Sequence, residues 1–184
     1  MNEIQRVQQV LSGNTSAFAH FVESYQDMAI TIAYRICGNK QDAEDVVQDS
    51  FVKAYKNLHS FRSDCKFSTW LYRIVYNTAV TASKSQMWFT THETAIDDVL
   101  QVGTYSLEKQ FEAKEREEIV ADIMQKMPKG DALLLALYYM EDNPVKEIAK
   151  ITGLNESNVK VKLFRARKLF GEIAISNYGL QTTG

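Results

Sequence analysis

The sequence contains few residues that interrupt helices and few that form disulfide frameworks. Its 184 residues include only 2 prolines, 8 glycines and 2 cysteines, which excludes collagen-like, low-complexity and disulfide-stabilised chains. The isolated cysteines, Cys37 and Cys65, make no metal-ligand pair. With 45% hydrophobic and 11% aromatic residues, the composition is that of a globular protein, and the scarcity of chain breakers favours helices over short strands and turns.

The sequence also lacks a long apolar segment. Its longest apolar run, Ala132–Met140, is far shorter than the roughly 20 residues that a transmembrane helix needs. The amino end, from Met1 to Arg6, has no apolar stretch behind a basic start of the kind that directs secretion. We therefore expect a cytoplasmic protein with no membrane insertion, in a compartment where both cysteines stay reduced.

Charge is divided sharply along the chain. The net charge of −2, taken alone, argues against a nucleic-acid-binding protein. However, residues 91–125 carry nine acids and three bases, whereas residues 145–170 carry seven bases and two acids. This asymmetry indicates that separate segments meet partners of opposite charge.

Apolar residues recur at steps of three and four in the first half, which predicts three helices. A Ser16 cap begins the first helix and Gly38 ends it, Asn39 caps the second, and the third starts near Thr69. Each helix has one apolar stripe, so residues 16–85 can close a three-helix core. The residues expected in these stripes are Phe18, Phe21, Val22, Tyr25, Met28, Ile32 and Ile36, then Val47, Phe51, Ala54, Tyr55 and Leu58, and finally Leu71, Ile74, Val75 and Thr78.

Helical periodicity fades after about residue 86 and then resumes, which indicates a second helical domain. In that second stretch, the pattern is interrupted at Pro128 and then restarts. The predicted fold is therefore all-α, with two small helical domains at residues 1–86 and 115–178 joined by a flexible, acidic linker at residues 87–114.

Residues 145–170 have the pattern of a helix-turn-helix. Two helices that cross at a tight angle need a small residue at the approach, a glycine in the turn and a β-branched residue in the angle. Ala149, Gly153 and Val159 meet these needs at the expected spacing. The expected caps are Asn143 with Pro144 for the first helix and Asn155 for the second.

The solvent face of the second of these helices carries polar residues followed by bases. Polar side chains near the amino end of such a helix can reach base edges, and bases further along can bind phosphates. The alternative is a helical hairpin whose exposed face happens to be basic, against which stands the near absence of acids from this helix. This predicted DNA-reading face consists of Ser157, Asn158, Lys160, Lys162, Arg165, Arg167 and Lys168.

A second pattern is an acidic strip on the second helix, defined as Asp42, Glu44, Asp45, Gln48 and Asp49. Steps of three and four align the three aspartates opposite the apolar stripe, so these like charges are solvated and repel one another. Placement of acids near a helix amino end accounts for Asp42 and Asp45 but not for Asp49. A metal site would need a histidine within reach, so a basic protein partner is the better explanation.

A third pattern joins a polar loop, residues 61–67, to the helix that follows it. Trp70, Arg73 and Asn77 are predicted to share one helix face, with Lys84 beyond them. An aromatic ring, a guanidinium and an amide suit stacking and phosphate contact with unpaired bases, although Trp70 alone could equally complete the core. The loop, polar and basic between two phenylalanines, could hold a base taken out of the stack.

These patterns together resemble a known family. The run Asp42-Ala-Glu-Asp-Val-Val-Gln-Asp, followed by Phe67-Ser-Thr-Trp-Leu-Tyr-Arg-Ile and Asn77-Thr-Ala, is similar to region 2 of bacterial extracytoplasmic-function (ECF, group IV) sigma factors. Residues 148–169 are similar to region 4 of the same family. The resemblance implies a two-domain protein that binds the β′ and β subunits of RNA polymerase core and directs sequence-specific promoter recognition and transcription initiation.

The resemblance also implies roles for individual residues. The acidic strip matches residues that dock on the β′ coiled coil, the DNA-reading face matches residues that read the minus-thirty-five element, and the linker is expected to thread through the polymerase. Family habit further implies an anti-sigma factor. Residues that match those capturing and holding melted bases of the minus-ten element are Phe61, Arg62, Ser63, Asp64, Lys66, Phe67, Thr69, Trp70, Arg73 and Asn77.

Two segments depart from the family pattern. Residues 79–86 offer only Lys84 where relatives carry several bases, which implies weak contact of region 2 with upstream duplex. Met127-Pro-Lys-Gly-Asp replaces the usual Leu-Pro with an arginine a few residues on, which implies slightly different docking of region 4.

Two other classes of function compete with this interpretation. A helix-turn-helix regulator acting without polymerase core also ends in a basic hairpin, but it leaves the acidic strip and the Trp70 helix unexplained. An enzyme is not expected, because His20, His59 and His92 are scattered and no phosphate-binding, nucleophile-elbow or zinc-protease motif occurs. No cofactor, metal or catalytic residue is predicted.

Charge reversal at Lys160 and Arg165 is expected to abolish promoter-dependent transcription. Each base that contacts a phosphate contributes about 0.9 to the slope of log affinity against log salt concentration, so the slope should also fall. Promoter-dependent activity that survives both reversals would contradict the assignment of this face to DNA.

Overall fold

The computed structural model describes residues 2–83, 104–105, 113–179 and 182–183, and it confirms the all-α fold. One strand pair was not predicted: Thr104–Tyr105 (β1) and Thr182–Thr183 (β2) pair in antiparallel register. The helices are α1 (Glu3–Leu11), α2 (Ala19–Cys37), α3 (Lys40–Lys56), α4 (Phe67–Ala82), α5 (Ala113–Lys126), α6 (Lys129–Tyr139), α7 (Val145–Thr152) and α8 (Glu156–Tyr178), with 3₁₀ turns at Thr15–Phe18 and Leu58–Ser60.

The described helices form two compact units. The first unit contains α1 to α4 together with α7, and the second contains α5, α6 and α8. Most of the predicted linker, and Lys84 with it, lies outside the described residues. Helix α5 begins at Ala113, two residues before the predicted start of the second domain.

The core of the first unit is built by α2, α3 and α4, as the three apolar stripes predict. Phe21, Ile32, Leu71 and Tyr72 are completely buried among them. Gly38 ends α2 in the left-handed conformation, with φ of 84°, which a residue without a Cβ adopts at no steric cost. The predicted stop signal after α2 is therefore confirmed.

Helix α1 was not predicted, although its start is well marked. The Asn2 side chain accepts a hydrogen bond from the Gln5 amide at 2.9 Å, and the Gln5 side chain accepts one from the Asn2 amide at 3.1 Å. This capping box satisfies two backbone donors that a helix start leaves unpaired. Burial of Val7 and Val10 then holds the nine-residue helix on the unit.

Two local predictions for the first unit were wrong. Ser16 does not cap a helix, because its hydroxyl donates to the Asn14 side chain at 2.6 Å within a 3₁₀ turn. Tyr55 is 41% exposed rather than part of the core, and its ring packs edge-on against Phe18 at 5.2 Å. Helix α4 begins at Phe67, close to the predicted start near Thr69.

The second unit is organised around α6, whose residues 132–137 are all buried. The carboxyl end of α8 is attached to α5, because the Tyr178 hydroxyl donates to the Asp122 carboxylate at 2.5 Å. The same carboxylate pairs with Lys126 at 2.6 Å, and hydrogen bonds from these two partners lower the pKa of Asp122. Helix α8 then ends at Gly179 in the left-handed conformation.

Asn143 has a different role from the predicted helix cap. Its side-chain amide donates to the carbonyl oxygen of Leu137 at 3.1 Å, and its backbone amide approaches the same oxygen at 3.4 Å. Asn143 therefore closes the carboxyl end of α6 instead of opening α7, and it does so while only 2% exposed.

The substitution Asn143→Ala should lower the free energy of unfolding by about 1–3 kcal/mol, because it leaves the buried Leu137 carbonyl without its side-chain donor. Chemical denaturation followed by circular dichroism measures this loss. Asn177→Ala, an exposed position on α8, is the control and should change stability by less than about 0.5 kcal/mol. Equal effects of the two substitutions would show that the Asn143 hydrogen bond contributes nothing.

Candidate polymerase and nucleic-acid interfaces

The acidic strip lies on α3, and all five of its side chains are exposed. Asn39 fixes where the helix starts, since its side chain accepts from the Asp42 backbone amide at 2.9 Å. The Asp42 carboxylate accepts from the Asn39 side-chain amide at 2.8 Å. The start of α3 at Asn39 is thus confirmed, and the register that follows points the strip at solvent.

Lysines on the same helix partly neutralise the strip. Lys40 lies 3.5 Å from Glu44, and Lys53 lies 2.7 Å from Asp49. Both are exposed pairs four residues apart, a class that contributes only about 0.3–0.5 kcal/mol each. The carboxylates therefore stay available to a basic partner.

An apolar groove of about 360 Å³ runs beside the acidic strip, between α2 and α3. Glu44 and Gln48 form its polar edge. Its apolar lining comes from Val22, Ile30, Val47, Phe51 and Val52. Val52 is 45% exposed, so the acidic strip borders a surface on which a partner helix can bury apolar area.

The loop at residues 61–67 is anchored at both ends by aromatic packing. Phe67 stacks on Phe21 with ring centroids 4.0 Å apart and is almost completely buried. Phe61 packs edge-on against Phe67 at 5.5 Å, and Trp70 lies within 5.6 Å of both rings. The two phenylalanines thus hold the ends of the loop rather than its tip.

The residues between these anchors are directed outward. Arg62, Ser63, Asp64 and Lys66 are all exposed. Ser63 has φ of 59°, a left-handed conformation that costs a non-glycine residue about 1 kcal/mol. Burial raises the pKa of the Cys65 thiol, which keeps that side chain neutral in the middle of the loop.

Helix α4 divides its predicted DNA-binding residues between two environments. Trp70 and Asn77 line a groove of about 490 Å³, and Arg73 is exposed. Ile74, predicted to face the core, lines the same groove as Trp70. Thr69 is only 1% exposed, and its buried hydroxyl oxygen has no hydrogen-bond partner. Thr69 is therefore buried and does not line the groove.

The groove also has a wall that sequence patterns did not reveal. Lys53, Asn57 and Ser60 face Trp70 and Asn77 across it. The sequence of α3 alone predicts only that Lys53 can pair with Asp49, four residues earlier. Its place opposite Trp70 depends on how α3 packs against α4.

The DNA-reading face lies on α8, which begins as predicted. Asn155 accepts a hydrogen bond from the Asn158 amide at 2.7 Å, and Gly153 has φ of 76° as the turn requires. The exposed members of the face are Ser157, Asn158, Lys160, Arg165 and Lys168, whereas Lys162 and Arg167 are half-buried.

Three side chains of α6 interact with this basic helix. The Arg167 guanidinium lies 4.9 Å from the centre of the Tyr138 ring and 5.6 Å from that of Tyr139, which is cation–π geometry. Burial raises the pKa of the Asp131 carboxyl, and the nearby charges of Lys162 and Arg165 partly offset this rise. Arg167 thus packs within the second unit.

Comparison with known proteins identifies the family. Residues 21–89 match Sigma-70 region 2, and residues 117–170 match Sigma-70 region 4. The ECF RNA polymerase sigma factor SigW of Bacillus subtilis (strain 168) is 30% identical over 172 residues, which cover 89% of this chain and 92% of that protein. The chain belongs to the ECF sigma factor family.

Other relatives agree with this assignment. The ECF RNA polymerase sigma-E factor of Haemophilus influenzae is 32% identical over 90% of each chain. Among solved structures, CnrH bound to the cytosolic domain of CnrY superposes with a TM-score of 0.62 and 26% identity, over 94% of this chain and 96% of that one. RpoE of Bartonella quintana, solved with the anti-sigma factor NepR, shares the fold at a TM-score of 0.60 and 17% identity, over 87% and 98% of the chains.

Membership fixes the function at the level of the family. This sigma factor acts with RNA polymerase in promoter recognition, and sigma factors are not an enzyme family. In the described ranges, no helix has the length and hydropathy to cross a membrane. Within those same ranges, no three histidine, cysteine or acidic side chains are grouped to hold a metal ion.

The substitution Thr69→Val is expected to raise the free energy of unfolding by up to about 1 kcal/mol, because it removes a buried hydroxyl that makes no hydrogen bond. Promoter opening should be unchanged, since the side chain is buried. Thr31→Val is the control: that hydroxyl donates to the Asp27 carbonyl at 2.9 Å, so no gain is expected there. A folded Thr69→Val protein that fails to open promoters would show that the hydroxyl reaches DNA.

Proposed function

We propose that this sigma factor docks on the polymerase β′ coiled coil through the acidic strip and captures unpaired minus-ten bases with the 61–67 loop and the Trp70 groove. The observation that carries the proposal is the exposure of all five side chains of the acidic strip, beside a polar loop and a groove lined by Trp70. The groove lies between α3 and α4, and no residue of the acidic strip lines it. The two partners would therefore contact different side chains.

Base capture supplies part of the energy of promoter opening. Unstacking a base step costs a few kcal/mol, and a base received by an aromatic surface and polar groups recovers much of that cost. Arg62, Ser63, Asp64 and Lys66 offer polar contacts in the loop, and Trp70 offers the ring. Phe61, Phe67 and Thr69 act in this scheme by positioning the others. The bond-forming catalyst is the polymerase, so no catalytic residue is proposed in this chain.

The second surface for DNA is the exposed part of α8. Ser157, Asn158 and Lys160 stand at its amino end, where a helix-turn-helix reads base edges in the major groove. Arg165 and Lys168 lie further along, where phosphate contacts are expected. We propose that this face binds the minus-thirty-five element.

We propose that the sigma factor works in the cytoplasm, where RNA polymerase and promoter DNA are found. The acidic linker is proposed to lie in a positive channel of the polymerase. An anti-sigma factor is proposed as a further partner. It is supported by the relative CnrH, whose structure was solved with the cytosolic domain of CnrY.

A run-off transcription assay tests the proposed function directly. Core polymerase alone should give no promoter-specific transcript, and core with the sigma factor should give one. A gel shift with and without core separates the alternative, because a regulator acting without polymerase would bind its operator alone. Specific binding by the free chain, together with no run-off product, would overturn the proposal.

The substitution Trp70→Ala should leave core binding intact and impair opening, because it removes the stacking ring from the groove but none of the acidic strip. Alanine replacement of a ring that stacks on a base costs about 1–3 kcal/mol, which predicts a loss of open complexes of roughly fivefold or more. Permanganate reactivity of the melted thymines measures the effect. Tyr34→Ala, an exposed aromatic outside the groove, is the control, and normal reactivity of the Trp70→Ala protein would contradict the proposed role.

A further inference from the structure

The groove beside Trp70 is lined on both walls by side chains that can contact a nucleic acid. Helix α4 contributes Trp70, Ile74, Asn77 and Thr81, and the end of α3 with its following turn contributes Lys53, Asn57 and Ser60. The α4 wall offers a ring and an amide for bases. The resemblance to the family assigned nothing to the facing wall, which offers an ammonium group, an amide and a hydroxyl.

Lys53 is the one charged side chain among the described residues that line this groove. A groove that binds a single strand needs a cation for the backbone as well as a stacking surface for bases. The Lys53 ammonium lies 3.3 Å from the Thr78 hydroxyl on the opposite helix. It therefore reaches across to the α4 wall of the groove, about 12 Å along the helix from Trp70.

The same ammonium is held by the acidic strip. Asp49 lies 2.7 Å from Lys53, and the two side chains are 53% and 47% exposed, respectively. Asp49 is one of the residues proposed to dock on polymerase. A single ion pair on α3 thus links the polymerase-facing side of the helix to the groove proposed for DNA.

We propose that Lys53 binds a phosphate of the melted strand, and that Asp49 occupies it until polymerase takes over the carboxylate. A basic group of the polymerase that pairs with Asp49 frees the ammonium for a phosphate in the groove. The occupant is unpaired DNA, because an ammonium beside a ring and two amides complements a phosphate backbone with exposed bases. This inference rests on the proposed function.

The energetics permit such an exchange. An exposed ion pair between residues four apart on a helix contributes little, so a polymerase cation can replace Lys53 at small cost. By the same measure, freeing Lys53 should tighten binding of a single strand by about twofold. The effect is modest, and it requires matched controls.

The first test uses the full free chain and a fluorescein-labelled 12-nucleotide DNA strand of mixed sequence at low salt. Asp49→Asn should tighten binding by about twofold, and Asp49→Asn with Lys53→Gln should not. Asp27→Asn removes the same charge from an exposed site on α2 and controls for the change in net charge. An equal gain from Asp27→Asn, or a gain that persists without Lys53, would overturn the proposal.

The second test uses holoenzyme and the single-stranded non-template segment of a promoter identified by run-off transcription. Lys53→Gln should lower the slope of log affinity against log salt by about 0.7, the value for one phosphate contact in a single strand. Lys56→Gln, on the same helix but outside the groove, should leave the slope unchanged. Equal slopes for the two variants would overturn the role of Lys53. Failure of the wild-type chain to give run-off product would instead overturn the proposed function.

Discussion

The stacking of Phe67 on Phe21 is the contact on which the loop and groove proposed for DNA depend. The two ring centroids are 4.0 Å apart, and both rings are buried. Phe67 is also the first residue of α4, so this contact fixes where the helix begins and where the preceding loop ends. Because Phe61 and Trp70 pack on the same ring, the polar loop residues are left facing solvent and Trp70 is held at the edge of the groove.

The period of helix α3 separates three sets of side chains, one of which is the surface proposed to bind polymerase. Val47, Phe51 and Ala54 face the core, the acidic strip faces solvent, and Lys53 reaches the groove. The Asn39 cap sets the register for all three. Shifting that start by one residue would turn the helix by roughly 100° and bury carboxylates that must stay solvated.

Several local signals and the three-helix core were predictable from the sequence, whereas the caps at Ser16 and Asn143 and the angles between packed helices were not. Gly38, Asn39 and Asn155 act as stop and cap signals through their own side chains and dihedral angles, so each was recognised from neighbouring residues. The groove side of Ile74 and the second wall at Lys53 depend on the angle between α3 and α4, which no single helix encodes. Helix α1 could have been predicted in part, because the Asn2–Gln5 capping box is a local sequence signal. Its nine residues are too few, however, to show a clear helical periodicity.

The basic helix shows why net charge is a poor guide to DNA binding in this chain. Seven bases of residues 145–170 suggest a uniformly positive segment, yet Arg167 is turned toward Tyr138 and Tyr139, and Lys162 and Arg165 lie near the Asp131 carboxyl and act to lower its pKa. The charge available to phosphates is therefore smaller than the count of bases. A free chain with net charge −2 should bind duplex DNA weakly at physiological salt, since few counterions are released. On the proposed function, specific binding depends on polymerase holding both proposed DNA-binding surfaces against one promoter, because two weak contacts made together gain affinity from their high effective concentration.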